Sequence, residues 1–347
     1  MLRRSVLPAA ASLAVVLLVA AGCKIQVGAA PADGSTKSAV QAGASGETRS
    51  GPLIVEPGAG FSSVYRLING ARHSINVTMY ELSDQTAEHD LAAAAKRGVR
   101  VRVILDHRQK RLNSAAYSYF RSHSVKVTWS SARYRYTHQK TVVTDGTQAV
   151  VMTANLTSRY YSTSRDFLLV DTNRADVAAI TAVFDADFAK ASVRPGHGSD
   201  LVWSPTDSQD QLLGLINGAR SSLRIYSEEM GDATVEKALV RAAKRGVDVQ
   251  VCGENEDSEY DSDFAKLARA GVRISYYSSS TGFYIHGKVI EADYGTARAK
   301  VFVGSENFSN TSLNQNRELG LIISSHPVMS AIASTFTSDF RSGKHWS

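Results

Sequence analysis

A chain of 347 residues that is 43% hydrophobic and 21% charged has the make-up of an ordinary globular protein, with a length that suits two domains. Its formal charge of +6 is a mild basic excess. It lacks the clustered basic stripe that tight nucleic-acid binding requires.

The first element is a leader. Arg3 and Arg4 precede an apolar run from Val6 to Ala21, which is short for a membrane-spanning helix and has the layout of a secretory signal over residues 1–22. Ala20-Ala21-Gly22-Cys23 resembles the lipobox of bacterial lipoproteins, which implies cleavage before Cys23 and lipidation of its thiol. An ordinary signal peptide cleaved nearby is the alternative, giving a secreted protein. Processing at Cys23 would lower the charge to +4 and leave Cys252 as the second cysteine, so the mature chain has no intramolecular disulfide. Cys252 lies in an apolar strand-like run and is expected to be a buried, inert thiol. Residues 23–51 are rich in Ala, Gly, Ser and Thr and should act as a flexible tether.

Two related halves follow, at 52–192 and 201–347, joined by a linker over 193–200. Leu67-Ile68-Asn69-Gly70-Ala71-Arg72 returns at Leu215 to Arg220, and Ala94 to Val99 returns at Ala242 to Val247, both displaced by 148 residues. Leu53-Ile54-Val55 and Leu201-Val202-Trp203 each open a half as a strand. Val64, Leu67, Ile68 and Ala71 share a helical face, as do Leu212, Leu215, Ile216 and Ala219. Strands at Ser74 to Tyr80 and Ser222 to Tyr226 come next. Helices from Thr86 to Arg97 and from Thr234 to Arg245 end at Gly98 and Gly246, the residue type that accepts the left-handed conformation there. Alternating strands follow at Val99 to Leu105 and Val247 to Val251, then a helix and a strand at Val125 to Trp129 and Val272 to Tyr277. Further on the offset becomes 152: Asn155 pairs with Asn307 and Phe184 with Phe336. Four extra residues therefore belong in a hairpin loop around Tyr294 to Lys300. The pattern predicts an α/β protein of two tandem α-β-α sandwich halves related by a pseudo-two-fold axis, with one site at their interface.

The chemistry sits on that repeat. His138-Gln139-Lys140 is followed by Asp145, and His286-Gly287-Lys288 by Asp293. Downstream, Met152-Thr153-Ala154-Asn155 is followed by Asp166, and Gly304-Ser305-Glu306-Asn307 by Glu318, eleven residues after each Asn. A neutral imidazole can attack phosphorus and a protonated one can protonate the leaving alkoxide. Lys140 and Lys288, two residues along the same strand as their histidines, would neutralise the phosphoryl oxygens. Asn155, Asn307, Thr153 and Ser305 would add donors to the phosphate. Asp166 and Glu318 are candidates to orient the imidazoles, with the pairing left open. Asp145 and Asp293, at a predicted turn, are candidates for catalysis and equally for turn capping. These residues call for no metal or cofactor.

The doubled motif resembles that of the phospholipase D superfamily, two HxKxxxxD segments each followed by Gly-Ser-x-Asn, over about Leu53 to Phe340. The resemblance implies that His138 forms a phosphohistidine while His286 acts as the acid. Met152-Thr153 departs from the Gly-Ser pattern and is expected to narrow the pocket on that side. Tyr134, Tyr136, Tyr276, Tyr277, Phe283 and Tyr284 would wall the pocket or pack the strands leading to it. Arg108, Lys110 and Arg111 should form a solvated face. Glu81 and Glu229, and Asp106 and Glu254, are equivalent pairs at strand ends.

The expected reaction is hydrolysis of a glycerophospholipid head group to phosphatidate, with transphosphatidylation when an alcohol competes. The alternative is a secreted endonuclease acting on DNA or RNA. A cardiolipin-synthase-like phosphatidyltransferase and a non-catalytic binding protein rank behind these. The expected partners are a phospholipid or other phosphodiester and a membrane surface met through a lipid anchor. The chain should be extracytoplasmic, and a monomer because it holds both motifs.

Overall fold

A computed structural model describes residues 50–347; the leader, Cys23 and the tether as far as residue 49 lie outside them. Half one runs β1 (Ser50–Glu56), α1 (Ser62–Gly70), β2 (Ser74–Met79), α2 (Gln85–Lys96), β3 (Arg100–Leu105), α3 (Lys110–Ser122), β4 (Lys126–Trp129), β5 (Thr141–Thr144), β6 (Gln148–Met152), β7 (Ser164–Asp171) and α4 (Arg174–Phe188). Half two repeats the order as β8 (Leu201–Ser204), α5 (Ser208–Gly218), β9 (Ser222–Ser227), α6 (Ala233–Lys244), β10 (Asp248–Glu254), α7 (Asp261–Arg269) and β11 (Arg273–Tyr277). It continues with β12 (Tyr284–Ile285), β13 (Val289–Ala292), β14 (Lys300–Gly304), α8 (Asn310–Asn314), β15 (Glu318–Ile323), α9 (His326–Ser342) and β16 (Lys344–His345).

Local signals set these elements. Asp84 caps α2 by accepting from Thr86 N and Ala87 N, and Asp232 caps α6 in the same way. Gly98 and Gly246 follow those helices at φ +94° and +86°, as expected for C′ residues. The first sheet has the order β1-β7-β6-β5-β2-β3-β4, and the second repeats it as β8-β15-β14-β13-β9-β10-β11 with β16 added at the edge. The extra residues fall where expected: three residues join β5 to β6, and seven join β13 to β14.

Three cores hold the layers. Val64, Ile68, Leu91 and Phe120 pack one face of the first sheet, and Leu212, Ile216, Leu239 and Phe264 pack the matching face of the second. The third core is shared, joining Phe167, Val177 and Val183 of half one to Trp203, Tyr226 and Phe336 of half two. Cys252 is fully buried in it, and burial pushes its thiol far up, as the sequence suggested.

The halves are also stitched by polar contacts that repeat at an offset of 152. Arg165, beside Asp166, pairs with Asp339 of α9 at 2.7 Å. Arg317, beside Glu318, pairs with Asp187 of α4 at 2.9 Å. β12 of half two pairs in parallel with β7 of half one. Each Arg thus reaches the last helix of the opposite half. Removing one partner of such a buried pair leaves a charge without compensation. Asp339→Ala is expected to lower the unfolding free energy in urea by about 3–5 kcal/mol. A loss within the ordinary surface range would show that the pair does not hold the halves together.

Candidate active site

Each motif segment is held by the strand of the opposite half. His138 N and Gln139 N both donate to Arg317 O, and Arg317 N donates back to Tyr136 O. On the other side His286 N donates to Arg165 O. Upstream, Thr137 N donates to Asp106 Oδ2 and Ile285 N to Glu254 Oε2, giving these equivalent carboxylates matching duties. The motif is not itself strand, contrary to expectation: residues 138–140 lead into β5, and residues 286–288 lie between β12 and β13. Each lysine turns back on its own histidine, Lys140 Nζ donating to His138 O at 2.7 Å and Lys288 Nζ to His286 O. Both lysines are fully buried.

The imidazoles are oriented across the interface. His138 Nδ1 lies 2.7 Å from Glu318 Oε2, and His286 Nδ1 lies 2.8 Å from Asp166 Oδ1. This settles which carboxylate serves which histidine: each is supplied by the other half. With Nδ1 engaged, Nε2 is the free nitrogen of His138. Glu318 Oε1 also accepts from Ser312 Oγ and from Asn316 Nδ2. Burial would push the Glu318 carboxyl up, but the His138 imidazole, Lys140 and the Ser312 hydroxyl hold it below its usual range. Burial pushes His138 below the ordinary imidazole range, and Lys140 adds to the effect against Glu318. Lys140 itself is pushed down to about 7, by burial first and then by the Lys288 ammonium.

The structure corrects the expectations for Thr153, Ser305 and Met152 and decides between the two open for Asp145 and Asp293. The hydroxyls of Thr153 and Ser305, both fully buried, are taken up by neighbouring strands and not by the cavity. Thr153 Oγ1 donates to Asp166 Oδ1 and accepts from Phe167 N, while Ser305 Oγ accepts from Leu319 N, so both brace the carboxylate-bearing strands. Asp145 accepts from the backbone N–H of Arg72, His73 and Ser74, and Asp293 does the same for Arg220, Ser221 and Ser222. Both sit in the left-handed conformation, φ +53° and +55°, at their hairpin turns. Their carboxylates are spent on turn and strand ends, which is the structural role. Met152 does not narrow the pocket either; its side chain is buried in the first core. Of the asparagines, Asn155 Oδ1 is within 3.4 Å of Glu81 N, whereas Asn307 lines the cavity with its Oδ1 unpartnered.

A cavity of about 490 Å³ opens on His138, and its wall holds a residue the sequence reading missed. Glu228 Oε2 is 2.6 Å from Lys288 Nζ, and its Oε1 is 3.6 Å from His286 Nε2 and accepts from Tyr284 OH at 2.9 Å. Burial would raise this carboxyl, but His286 and Lys288 outweigh it and hold it far below its usual range. Its equivalent at an offset of 148 is Tyr80, whose ring stands edge-on to His138 at 4.6 Å and under Lys140 Nζ at 5.1 Å. That alignment was the available signal.

Both halves of the chain are similar to known proteins. A family model described as "Cardiolipin synthase, PLD-like domain" matches residues 64–188 and 212–340. Cardiolipin synthase A of Pseudomonas aeruginosa is 29% identical over 129 residues, 36% of this chain and 26% of that protein. Phospholipase D Y of Dictyostelium discoideum is 32% identical over 112 residues, 31% of this chain and 24% of that protein. The matched stretch therefore spans about a quarter of these relatives' length. The crystal structure of phosphatidylserine synthase from Haemophilus influenzae Rd KW20 superposes with a TM-score of 0.62 at 11% identity, covering 83% of this chain and 86% of that one. At that identity the likeness is one of fold.

The turn aspartates give a test that separates structure from chemistry. Backbone amides from Arg72 to Ser74 outweigh burial and hold Asp145 below the ordinary aspartate range, and those from Arg220 to Ser222 do so for Asp293. A lowered folded pKa stabilises the protein above the unfolded value, and that contribution disappears as pH falls through the folded one. Asp293→Asn should therefore cost about 1–3 kcal/mol at neutral pH, with the deficit shrinking below pH ~4. Turnover by the folded fraction should stay within about threefold. A stably folded variant with turnover down a hundredfold would restore the catalytic assignment.

Proposed function

The chain belongs to the phospholipase D-like family, and on that premise we propose that it is a metal-independent phosphodiesterase acting through a phosphohistidine. The substrate we assign is a glycerophospholipid, hydrolysed to phosphatidate and a free head-group alcohol. The observation that carries this reading is the reciprocal pairing, His138 with Glu318 and His286 with Asp166, around a shared cleft. His138 Nε2 attacks phosphorus, forming the N–P bond as the P–O bond to the head group breaks. The proton on His286 passes to the departing oxygen. Neutral His286 then takes a proton from water, the resulting hydroxide attacks phosphorus, and the N–P bond breaks. An alcohol in place of water would give phosphatidyl transfer, the kind of reaction named by the cardiolipin synthase relatives.

The unequal surroundings of the histidines support these roles. Burial favours the neutral form of His138, which a nucleophile requires. The Glu228 carboxylate lies 3.6 Å from His286 Nε2, the nitrogen that donates to the departing oxygen. Lys140 and Lys288 supply the positive charge that would stabilise the phosphoryl oxygens. Attachment to the outer face of a cell membrane through Cys23 is part of the proposal and rests on the residues of the leader.

In the presence of EDTA the enzyme should release choline from phosphatidylcholine vesicles while leaving single-stranded and duplex DNA intact. Cleavage of DNA alone would replace the lipase with a nuclease. Acid quenching with a labelled diester should trap phosphate on His286→Ala enzyme and not on His138→Ala enzyme; the reverse pattern exchanges the roles. The acid limb of kcat/KM should lie below pH 6.5, the ordinary imidazole value, because burial depresses His138. Glu318 raises that pKa, so Glu318→Gln should move the limb lower still, together with a loss of roughly 10³–10⁴ in kcat.

A further inference from the structure

Charge is divided unevenly between two halves that share a backbone plan. Residues 52–192 hold 18 Lys and Arg against 12 Asp and Glu, whereas residues 201–347 hold 15 against 18. Half one is therefore at +6 and half two at −3. Much of the difference lies on the segments that leave the strands beside the cleft. Arg108 and Arg111 after β3 correspond to Glu256 and Glu259 after β10, at an offset of 148. Arg159 and Tyr160, between β6 and β7, become Thr311 and Ser312 at an offset of 152. The shared frame thus does not require a basic rim on half one.

The rim cations are exposed and available. Arg108, Lys110, Arg111, Arg135 and Arg159 all face solvent, and among the described residues none of them is in an ion pair, unlike Arg102, Arg165 and Arg317. Aromatic rings steady them instead. Arg108 and Arg135 both lie on the Tyr136 ring, at 5.9 and 5.7 Å, with Lys110 over Trp129 at 5.6 Å and Arg159 over Tyr160 at 4.6 Å. A ring face holds a guanidinium while leaving its N–H donors free. The acids of the same segments are withdrawn: Asp84 and Asp106 are buried and Glu81 is half-buried. Two of the three large hydrophobic side chains exposed among the described residues lie here as well, Leu112 at 36% and Tyr160 at 46%. Their segments are tied to one another through residues 80–84. Asn113, next to Leu112, donates to Tyr80 O and accepts from Leu82 N, while Ser83 N and Asp84 N donate to Leu156 O.

Exposed cations set around protruding apolar tips suit an anionic bilayer, where the cations meet lipid phosphates and Leu and Tyr enter the head-group layer. Nucleic acid is the poorer partner, because a polyphosphate chain following the cleft would leave this rim and meet Glu256 and Glu259 on the other side. Resting on the reading of the chain as a lipid-hydrolysing enzyme, we propose that the half-one rim is the face by which it docks on anionic lipid, separate from the site that holds the scissile phosphate. The acidic rim of half two is repelled by the same surface, so the molecule arrives tilted, half one first.

The test reads binding apart from turnover. The full chain carrying Cys23→Ser, to remove a lipid anchor, and His138→Ala, to spare the lipid, is co-sedimented with phosphatidylcholine vesicles with and without phosphatidylglycerol. Phosphatidylglycerol should raise partitioning by about tenfold or more, and added salt should reverse the gain. Arg108→Glu with Arg111→Glu should remove that gain, and Leu112→Ser with Tyr160→Ser should weaken binding several-fold. With His138 restored, both double variants should cleave the soluble bis(p-nitrophenyl) phosphate within about threefold of the parent. Lys237→Glu with Arg241→Glu makes the same change of charge at exposed positions of α6 and should keep most of the gain. Equal partitioning on both vesicles, a gain kept without Arg108 and Arg111, or an equal loss in the α6 variant overturns the docking face. Capture by duplex DNA that the anionic vesicles do not compete away reassigns the rim to nucleic acid and overturns it too. Absence of diester cleavage by the parent chain would instead remove the phosphodiesterase reading, leaving the vesicle result to be judged by itself.

Discussion

Everything at the centre of this molecule depends on two short chain segments that cross between halves, Arg165-Asp166 and Arg317-Glu318. Each provides three contacts to the opposite half: a carbonyl that receives the motif backbone, a guanidinium on the last helix, and a carboxylate on the imidazole. Because adjacent residues on a strand point to opposite faces, one strand can grip a helix behind it and a histidine in front. Neither histidine can be oriented by its own half. Desolvated ion pairs are a costly way to gain stability, and their better use is in fixing one arrangement among several similar ones. Here the arrangement is the register of two related halves that could otherwise pack in more than one way.

On that symmetric frame the departures are local and compensated. Gly304 faces Gly320 across the β14–β15 ladder, and the Phe302 ring and Glu306 carboxyl fill the space that side chains there would take. In half one Met152 faces Leu168, with Val150 and Ala154 in place of Phe302 and Glu306. Bulk has moved from one set of positions to the other, and the volume between the strands is kept. The Met152-Thr153 departure from Gly-Ser is therefore a matter of core packing. Glu306 is the residue this leaves most exposed to cost: fully buried, with both carboxyl oxygens unpartnered, it is pushed far up by burial and by Glu318.

The repeat made much of this legible before any coordinates. Offsets of 148 and 152 located the equivalent strands, the closing glycines and the hairpin carrying the extra residues. An offset states which positions are equivalent, but not whether a side chain serves its own half or the other. Hence Asp166 and Glu318 were recognised and their exchange was not. The same limit hid Arg165–Asp339 and Arg317–Asp187, both displaced by 152, since an Arg beside a catalytic candidate has no signature of its own. Thr153 and Ser305 misled for another reason: a hydroxyl in a phosphate-binding motif suggests a ligand contact, whereas burial had already committed both to neighbouring strands.

Glu228 shows how a near-symmetric site can become directional. Lys140 and Lys288 are both fully buried, and the Lys288 ammonium helps to push Lys140 down. Lys288 has Glu228 at 2.6 Å; Lys140 has the face of Tyr80, a weaker partner for a cation. The same pair of positions sets what each imidazole meets, a ring beside His138 and a carboxylate near His286 Nε2. One substitution between equivalent positions therefore changes what both a lysine and a histidine meet. A reaction that needs a base on one side of phosphorus and an acid on the other needs unequal surroundings for its two histidines, and the Tyr80–Glu228 exchange supplies them without disturbing the frame that holds the two imidazoles in place.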